Sequence, residues 1–279
     1  SEKESFCSYS RSGVNRLSLG VQAFNDFDLK RLGRLHNSKE AKEALDVALN
    51  QFDRVSFDLM YGRQFQALSD WKKELEMALQ FATEHISLYQ LTIEKGTRFG
   101  EMFAKNKLHG LPNCDQSSEF YNATQEICEN SGLRAYEISN HSVLGKECRH
   151  NLNYWNSGCF LGIGPGAHGR INIGSKRFRT ETPSNPEVWL GYLKQNGIQK
   201  FLKKPLTSTE RAEEYAIMAI RLSFGMDLNK FRDLGGASIS SEKLSVLSTN
   251  NLIAVDQNRL KTTAKGRLLT NHILRELLC

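Results

Sequence analysis

The 279 residues contain six cysteines (Cys7, Cys114, Cys128, Cys148, Cys159 and Cys279), and no two of them are spaced C-x-x-C or C-x-x-x-C. No zinc or iron–sulfur site can therefore be read from their spacing, and their scatter fits buried or surface thiols in a reducing compartment. Also missing is any apolar run near the roughly 20 residues that a membrane-spanning helix needs. The chain opens Ser1-Glu2-Lys3-Glu4-Ser5, with neither an initiator methionine nor the basic start and apolar centre of a signal peptide. A cytoplasmic protein with an incomplete N-terminus is expected.

Hydrophobic residues make up 39% of the chain and charged residues 24%, an ordinary globular balance that excludes a disordered chain and suits one large or two modest domains. The net charge of +6 is uneven: positions 200–279 hold 13 Lys/Arg against 8 Asp/Glu. A solvated basic surface is the ordinary reading of such an excess.

From Arg16 to Ser139 short β-like runs alternate with amphipathic helices. Arg16–Val21 reads as a strand, and Ala41, Ala44, Leu45 and Ala48 share one face of a helix starting near Ser38. Arg54–Tyr61 is the next strand, with Val55, Phe57, Leu59 and Tyr61 alternating against Ser56, Asp58 and Met60. Trp71, Leu75, Ala78, Leu79 and Ala82 draw a second helical face, with Ser69 or Asp70 as its N-cap. His85–Thr92 reads as a third strand, a helix around Phe120–Ile127 closes near Gly132, and Arg134–Ser139 reads as a fourth strand. Repeated strand-then-helix order predicts a parallel sheet with its chemistry at the C-terminal strand ends, near Gln22, Asp58, Tyr89-Gln90 and Asn140. Four strands do not close an eight-stranded barrel, so the sheet is either open or continued upstream of Ser1.

A break follows Thr182–Pro186, and from Thr207 the character changes. Thr207-x-x-Glu210 is a capping box opening a helix with Tyr215, Ala216, Ala219 and Leu222 on one face. Helices at 228–234 and 242–247, a hairpin at 252–260 and a closing helix complete a winged-helix-like order. The domain expectation is 1–185 and 186–279.

Three strings carry the chemistry. They are Tyr136-Glu137-Ile138-Ser139-Asn140, Cys148-Arg149-His150-Asn151-Leu152-Asn153-Tyr154-Trp155, and Gly162-Ile163-Gly164-Pro165-Gly166-Ala167-His168-Gly169. The second places a histidine, an asparagine and a tyrosine beside Trp155 and Phe160, a mixture suited to a flat apolar ligand with an iron to coordinate. A histidine hydrogen-bonded within a loop is the competing reading of His150, and Cys148 is a thiolate rival. Gly164-x-Gly166-x-x-Gly169 is formally a dinucleotide fingerprint, but a strand-like Arg170–Ile173 follows and Pro165 removes an amide donor. It reads instead as a turn that lets the backbone approach a cofactor.

Joined to Gly13–Gln22, Gly33-Arg34-Leu35-His36 and Phe57–Gly62, these strings resemble the HemW branch of the radical SAM superfamily, related to oxygen-independent coproporphyrinogen III oxidase. The resemblance runs from about Gly13 to the C-terminal helix, including Thr263–Leu269. It implies an α/β fold: a partial (β/α) barrel of parallel strands, N-terminally truncated here, with a C-terminal, mainly helical domain. It implies a [4Fe–4S] cluster on a Cys-x-x-x-Cys-x-x-Cys loop, with S-adenosylmethionine (SAM) bound against it. That loop and a glycine-rich SAM-contacting turn are expected before Ser1, so the cluster ligands are not in this chain and oxidase chemistry is not expected of it.

By matching position the resemblance implies cofactor contacts at Gln22, Arg34 and Asp58 for SAM. An amide and a carboxylate suit hydroxyl and amine groups, and a guanidinium suits a carboxylate. Without the resemblance, Asp58 reads as a strand polar residue and Arg34 as a surface charge. His150-Asn151-x-x-Tyr154 matches the H-N-x-x-Y motif linked to haem binding, which implies His150 as metal ligand with Asn151 and Tyr154 beside it; Arg149, next to the motif, suits a propionate by its charge. The function implied is a haem chaperone, with the oxidase as the alternative. Its partners are haem-accepting proteins, with peripheral contact to membrane haemoproteins and no nucleic acid expected. One departure stands out: the family's Gly-Leu-Pro-like or Arg-Pro-Gly turn is here Gly62-Arg63-Gln64-Phe65-Gln66, without the proline and the following glycine.

Overall fold

The computed structural model describes residues 2–81, 83–199 and 201–278. Ala82 and Cys279, named above, lie outside the described residues. The chain forms two compact units, Ser1–Glu147 and Cys148–Cys279.

In the first unit strands β1 (Arg16–Gln22), β2 (Arg54–Tyr61) and β3 (His85–Gln90) run parallel, joined to β5 (Asn140–Ser142) and β4 (Arg134–Ala135) in the order β1-β2-β3-β5-β4. Successive side chains of a strand point to opposite faces, so the alternation in β2 divides the sheet chemically. Val55, Phe57, Leu59 and Tyr61 are buried with Leu45, Trp71, Leu75, Ile86 and Leu88 in the core. Removing one such large aliphatic side chain typically costs about 2–5 kcal/mol. The other face carries Ser18, Ser56, Asp58 and Ser87, with Ser18 opposite Ser56 and Asp58 opposite Ser87.

The helices follow their local signals. Helix Ser38–Gln51 begins after Asn37, whose side chain and that of Glu40 form a reciprocal capping box; Asn113 and Gln116 do the same for Cys114–Asn130. The helix carrying Trp71 starts earlier than expected, at Leu68, with Ala67 at the N-cap and no side-chain cap. Ser69 and Asp70 therefore lie inside its first turn, where Asp70 faces the positive end of the helix dipole. Trp71 donates its indole N–H to Thr124 Oγ1 at 2.8 Å, and Thr124 donates onward to Phe120 O at 2.7 Å. That buried polar link ties two helices to one core.

The sheet is mixed, not wholly parallel. Instead of one parallel strand over Arg134–Ser139, the chain reverses between β4 and β5, which pair antiparallel, and β5 pairs antiparallel with β3. The reversal has a local cause: the buried Glu137 carboxylate accepts hydrogen bonds from Ser139 N and Asn140 Nδ2, both at 2.7 Å. A backbone bonded to its own side chain in this way turns.

In the second unit, β6 (His168–Ile173), β7 (Lys176–Glu181) and β8 (Leu202–Pro205) form an antiparallel sheet. β9 (Met226–Asp227), β10 (Ile253–Asp256) and β11 (Arg259–Thr262) form another, in the order β10-β11-β9. The Thr207–Glu210 capping box opens helix Ser208–Ala219 as read, with Leu222 buried just beyond its end. Tyr215, Ala219, Ile220, Met226, Phe231, Leu260 and Ile273 make a second core, against which Leu152 and Trp155 pack. The compact units divide at Glu147/Cys148, not at 185/186. Helix Arg149–Trp155 shares the C-terminal core, and β7 pairs with β8 across the expected boundary.

Candidate functional site

The polar sheet face of the first unit carries hydrogen-bonded side chains. Arg16 Nη2 donates to Ser56 Oγ at 3.2 Å, and Ser56 donates to Ser18 Oγ at 2.9 Å. Asp58 is half-buried here, and its carboxyl is pushed above the usual carboxylate range by burial, against the opposing pull of the Ser87 hydroxyl and Arg16. Asp58 is thus part of a polar surface at the C-terminal half of the sheet.

Gln22 ends β1 in an unusual backbone. Its φ is +72°, the register with β2 shifts between Leu19 and Gln22, and the side chain is buried. A side chain at Gly20 would place its Cβ 2.9 Å from Gln22 Nε2, so this glycine leaves room for the amide. Non-glycine residues held at positive φ concentrate at functional sites because they store strain. Arg34 lies in the loop after Gly33, exposed. Its loop meets the end of β1 through His36 Nε2, 3.2 Å from Val21 O.

A third feature lies at this end of the sheet. Arg63, 4% exposed, meets Glu74 through Nη2–Oε2 at 2.5 Å and Nη1–Oε1 at 3.2 Å, Asp28 Oδ2 at 3.1 Å and Met60 O at 3.1 Å. Glu74 Oε1 also accepts the Phe24 amide at 2.7 Å. Phe24, Asp28, Arg63 and Glu74 line a cleft of about 390 Å³ with Arg31, whose guanidinium lies over the Phe27 and Phe65 rings at 4.1 and 4.9 Å. The only signal was the altered turn at Arg63. Phe65 occupies the place of the lost glycine, keeps a left-handed φ of +59° and packs its ring on Gly110.

In the second unit, His150 and Tyr154 lie four residues apart on the short helix Arg149–Trp155, hence on one face. Their rings meet edge to face with centroids 4.6 Å apart, and Tyr154 meets Phe160 at 4.4 Å. His150 is exposed, and neither of its ring nitrogens is hydrogen-bonded among the described residues. Cys148, the rival donor, is buried. Asn151 is half-buried one position further round the helix, about 100° from His150 and not on its face.

The glycine-rich segment is closed on itself. Gly164 and Gly166 have φ of +104° and +68°. Gly164 N donates to Gln199 Oε1 at 3.2 Å, Ala167 N donates to Thr182 Oγ1 at 2.8 Å, and Thr182 donates to Gly164 O at 2.5 Å. The segment leads into β6, not into a helix, and those amides are already spent on the protein's own oxygens. Both observations argue against a pyrophosphate cradle.

Comparisons with known proteins agree with this architecture. Residues 206–269 match the HemN C-terminal domain family. The solved structure of coproporphyrinogen III oxidase (HemN) from Escherichia coli, a radical SAM enzyme, superimposes with a TM-score of 0.77 at 18% identity, covering 99% of this chain and 67% of that one. That likeness establishes the α/β fold. The heme chaperone HemW of Haemophilus influenzae is 33% identical over 98% of this chain and 70% of its own length. The mitochondrial radical S-adenosyl methionine domain-containing protein 1 of Dictyostelium discoideum is 36% identical over 95% of this chain and 66% of its own, so the chain spans about two thirds of these relatives. The chain belongs to the HemW family of the radical SAM superfamily.

Proposed function

We propose that this chain is a haem carrier that holds its cargo through the His150 imidazole and passes it to haem-accepting proteins. The observation that carries this reading is an exposed histidine, its ring nitrogens without a hydrogen bond among the described residues, on a face lined by Tyr154 and Phe160. Neutral imidazole is a common axial donor to haem iron, and aromatic neighbours suit a porphyrin plane. Arg149, exposed beside His150, is placed by sequence to pair with a propionate. A one-sided, exposed ligand suits cargo that has to leave.

We also propose that Gln22, Arg34 and Asp58 hold SAM on the polar sheet face, where amide, guanidinium and carboxylate match its amine, hydroxyl and carboxylate groups. The buried strained amide of Gln22 and the half-buried Asp58 fit such a role. On this reading the sheet is part of a (β/α) barrel and the C-terminal helices with β9–β11 form a winged-helix-like domain, in a cytoplasmic protein. The [4Fe–4S] cluster is a different matter. Among the described residues no three His, Cys, Asp or Glu side chains are grouped as metal ligands, so these side chains do not fit a cluster and no step runs through one.

The test is a hemin titration followed by the Soret band, with His150→Ala and Cys148→Ala in parallel. Saturable binding whose spectrum changes only in His150→Ala supports the reading. Well-folded protein without saturable binding, or a spectrum governed by Cys148, sinks it.

A further inference from the structure

Metal-binding histidines usually donate their second ring nitrogen to a neighbouring oxygen, which fixes the ring. His150 makes no such bond among the described residues, yet it does not stand alone. Its ring meets Tyr154 at an interplanar angle of 89°, and Tyr154 meets Phe160 at 68°. Phe160 is the member of this row whose backbone is clamped: it exchanges two hydrogen bonds with Arg170, N to O at 2.8 Å and O from N at 2.9 Å. The Arg170 guanidinium is then gripped by Glu214 on helix Ser208–Ala219, through Nε at 2.9 Å and Nη2 at 2.7 Å. The turn leading into Phe160 is closed by Asn153 Nδ2 donating to Cys159 O at 2.9 Å.

We propose that Phe160, anchored through Arg170 to Glu214, is the positioning residue of the His150 imidazole, with ring packing in place of the missing hydrogen bond. The link to haem rests on the proposed function; the ring geometry does not. Free of such packing, an exposed histidine on a surface helix changes rotamer on the picosecond-to-nanosecond scale. A ring held by its neighbours presents one nitrogen in one direction. Glu214, which lies in the segment matching the HemN C-terminal domain family, joins that segment to the haem motif through Arg170.

The experiment uses the full chain, with and without hemin, in wild type, Phe160→Leu, Phe160→Tyr and Glu214→Gln. In haem-free protein the His150 ring resonances, assigned with His150→Ala, are expected to move toward those of a free histidine in Phe160→Leu and to stay in place in Phe160→Tyr. Hemin affinity should fall by about tenfold or more in Phe160→Leu, the usual effect of losing a ligand's support. Glu214→Gln, which touches no ring, should shift both readouts in the same direction by less. Unmoved His150 resonances in Phe160→Leu, or equal losses in Phe160→Leu and Phe160→Tyr, overturn the assignment. Wild type that fails to bind hemin while Phe160→Leu still moves the His150 ring sinks the haem reading and leaves the positioning role standing.

Discussion

Arg63 and Glu74 form an almost fully enclosed ion pair, 2.5 Å apart with side chains 4% and 10% exposed, at the point where β2 leaves the sheet. Glu74 at once neutralises the guanidinium and holds the Phe24 amide. Breaking a buried pair by removing one charge typically destabilises by about 3–5 kcal/mol, because the survivor is left uncompensated. Glu74→Gln is expected near the lower end of that range, since Asp28 still faces Arg63 at 3.1 Å. Urea unfolding reads this directly, and a loss below about 1 kcal/mol would mean that Asp28 alone satisfies the guanidinium.

His85 makes the first unit acid-sensitive. It is buried against Tyr136 OH at 2.9 Å, and burial, followed by Arg16, His141 and Arg54, pulls its pKa down to about 3 from an ordinary 6.5. Because the folded pKa lies below the unfolded one, the unfolded chain takes up the proton first. The stability from this group is complete above about pH 6.5 and is lost as pH falls toward 3, at no more than about 1.4 kcal/mol per pH unit. Unfolding free energies at pH 7 and pH 5 should differ accordingly, and His85→Gln should flatten that slope. An unchanged slope would place the sensitivity elsewhere.

Gln22 trades stability for the placement of an amide. At φ +72° an L-residue pays roughly 1–2 kcal/mol relative to glycine, so Gln22→Gly is expected to unfold at a higher temperature than Gln22→Ala by about 1 kcal/mol of stability. If Gln22→Ala proves the more stable of the two, the strand end is not strained.

Gly110 and Phe65 are fitted to one another. A Cβ at Gly110 would sit 2.5 Å from the Phe65 ring, and its own φ is +73°. Gly110→Ala is expected to cost about 1–3 kcal/mol. Combining it with Phe65→Ala should recover the part due to the clash, which a double-mutant cycle isolates. Strict additivity would show that backbone strain alone is responsible.

Much of the frame was legible because it is local. The alternation of Val55, Phe57, Leu59 and Tyr61 against Ser56 and Asp58 needs only a pleat, and Thr207 with Glu210 needs only three residues of spacing. The pairing of His150 with Tyr154 follows from one helical turn. The rest depended on contacts between distant residues or on unusual backbone. Arg134–Ser139 has the composition of a strand, but Glu137 bonds its own following backbone and turns the chain. Nothing in the spacing of Asp28, Arg63 and Glu74 signals an ion pair, because three separate elements bring them together. Likewise the backbone of Phe160 is held by Arg170, ten residues further along, which pairs with it in a β-bridge.

The seven-residue helix that carries His150 is too short to persist alone in water, and it is held in place by Leu152 and Trp155 in the C-terminal core. Any ligand taken by His150 therefore adds its binding free energy to the stability of that core, by RT ln(1 + [L]/Kd). The dependence runs both ways: whatever loosens the core also lowers the grip on the ligand. An acceptor protein that pried at this domain could empty the site without touching the histidine.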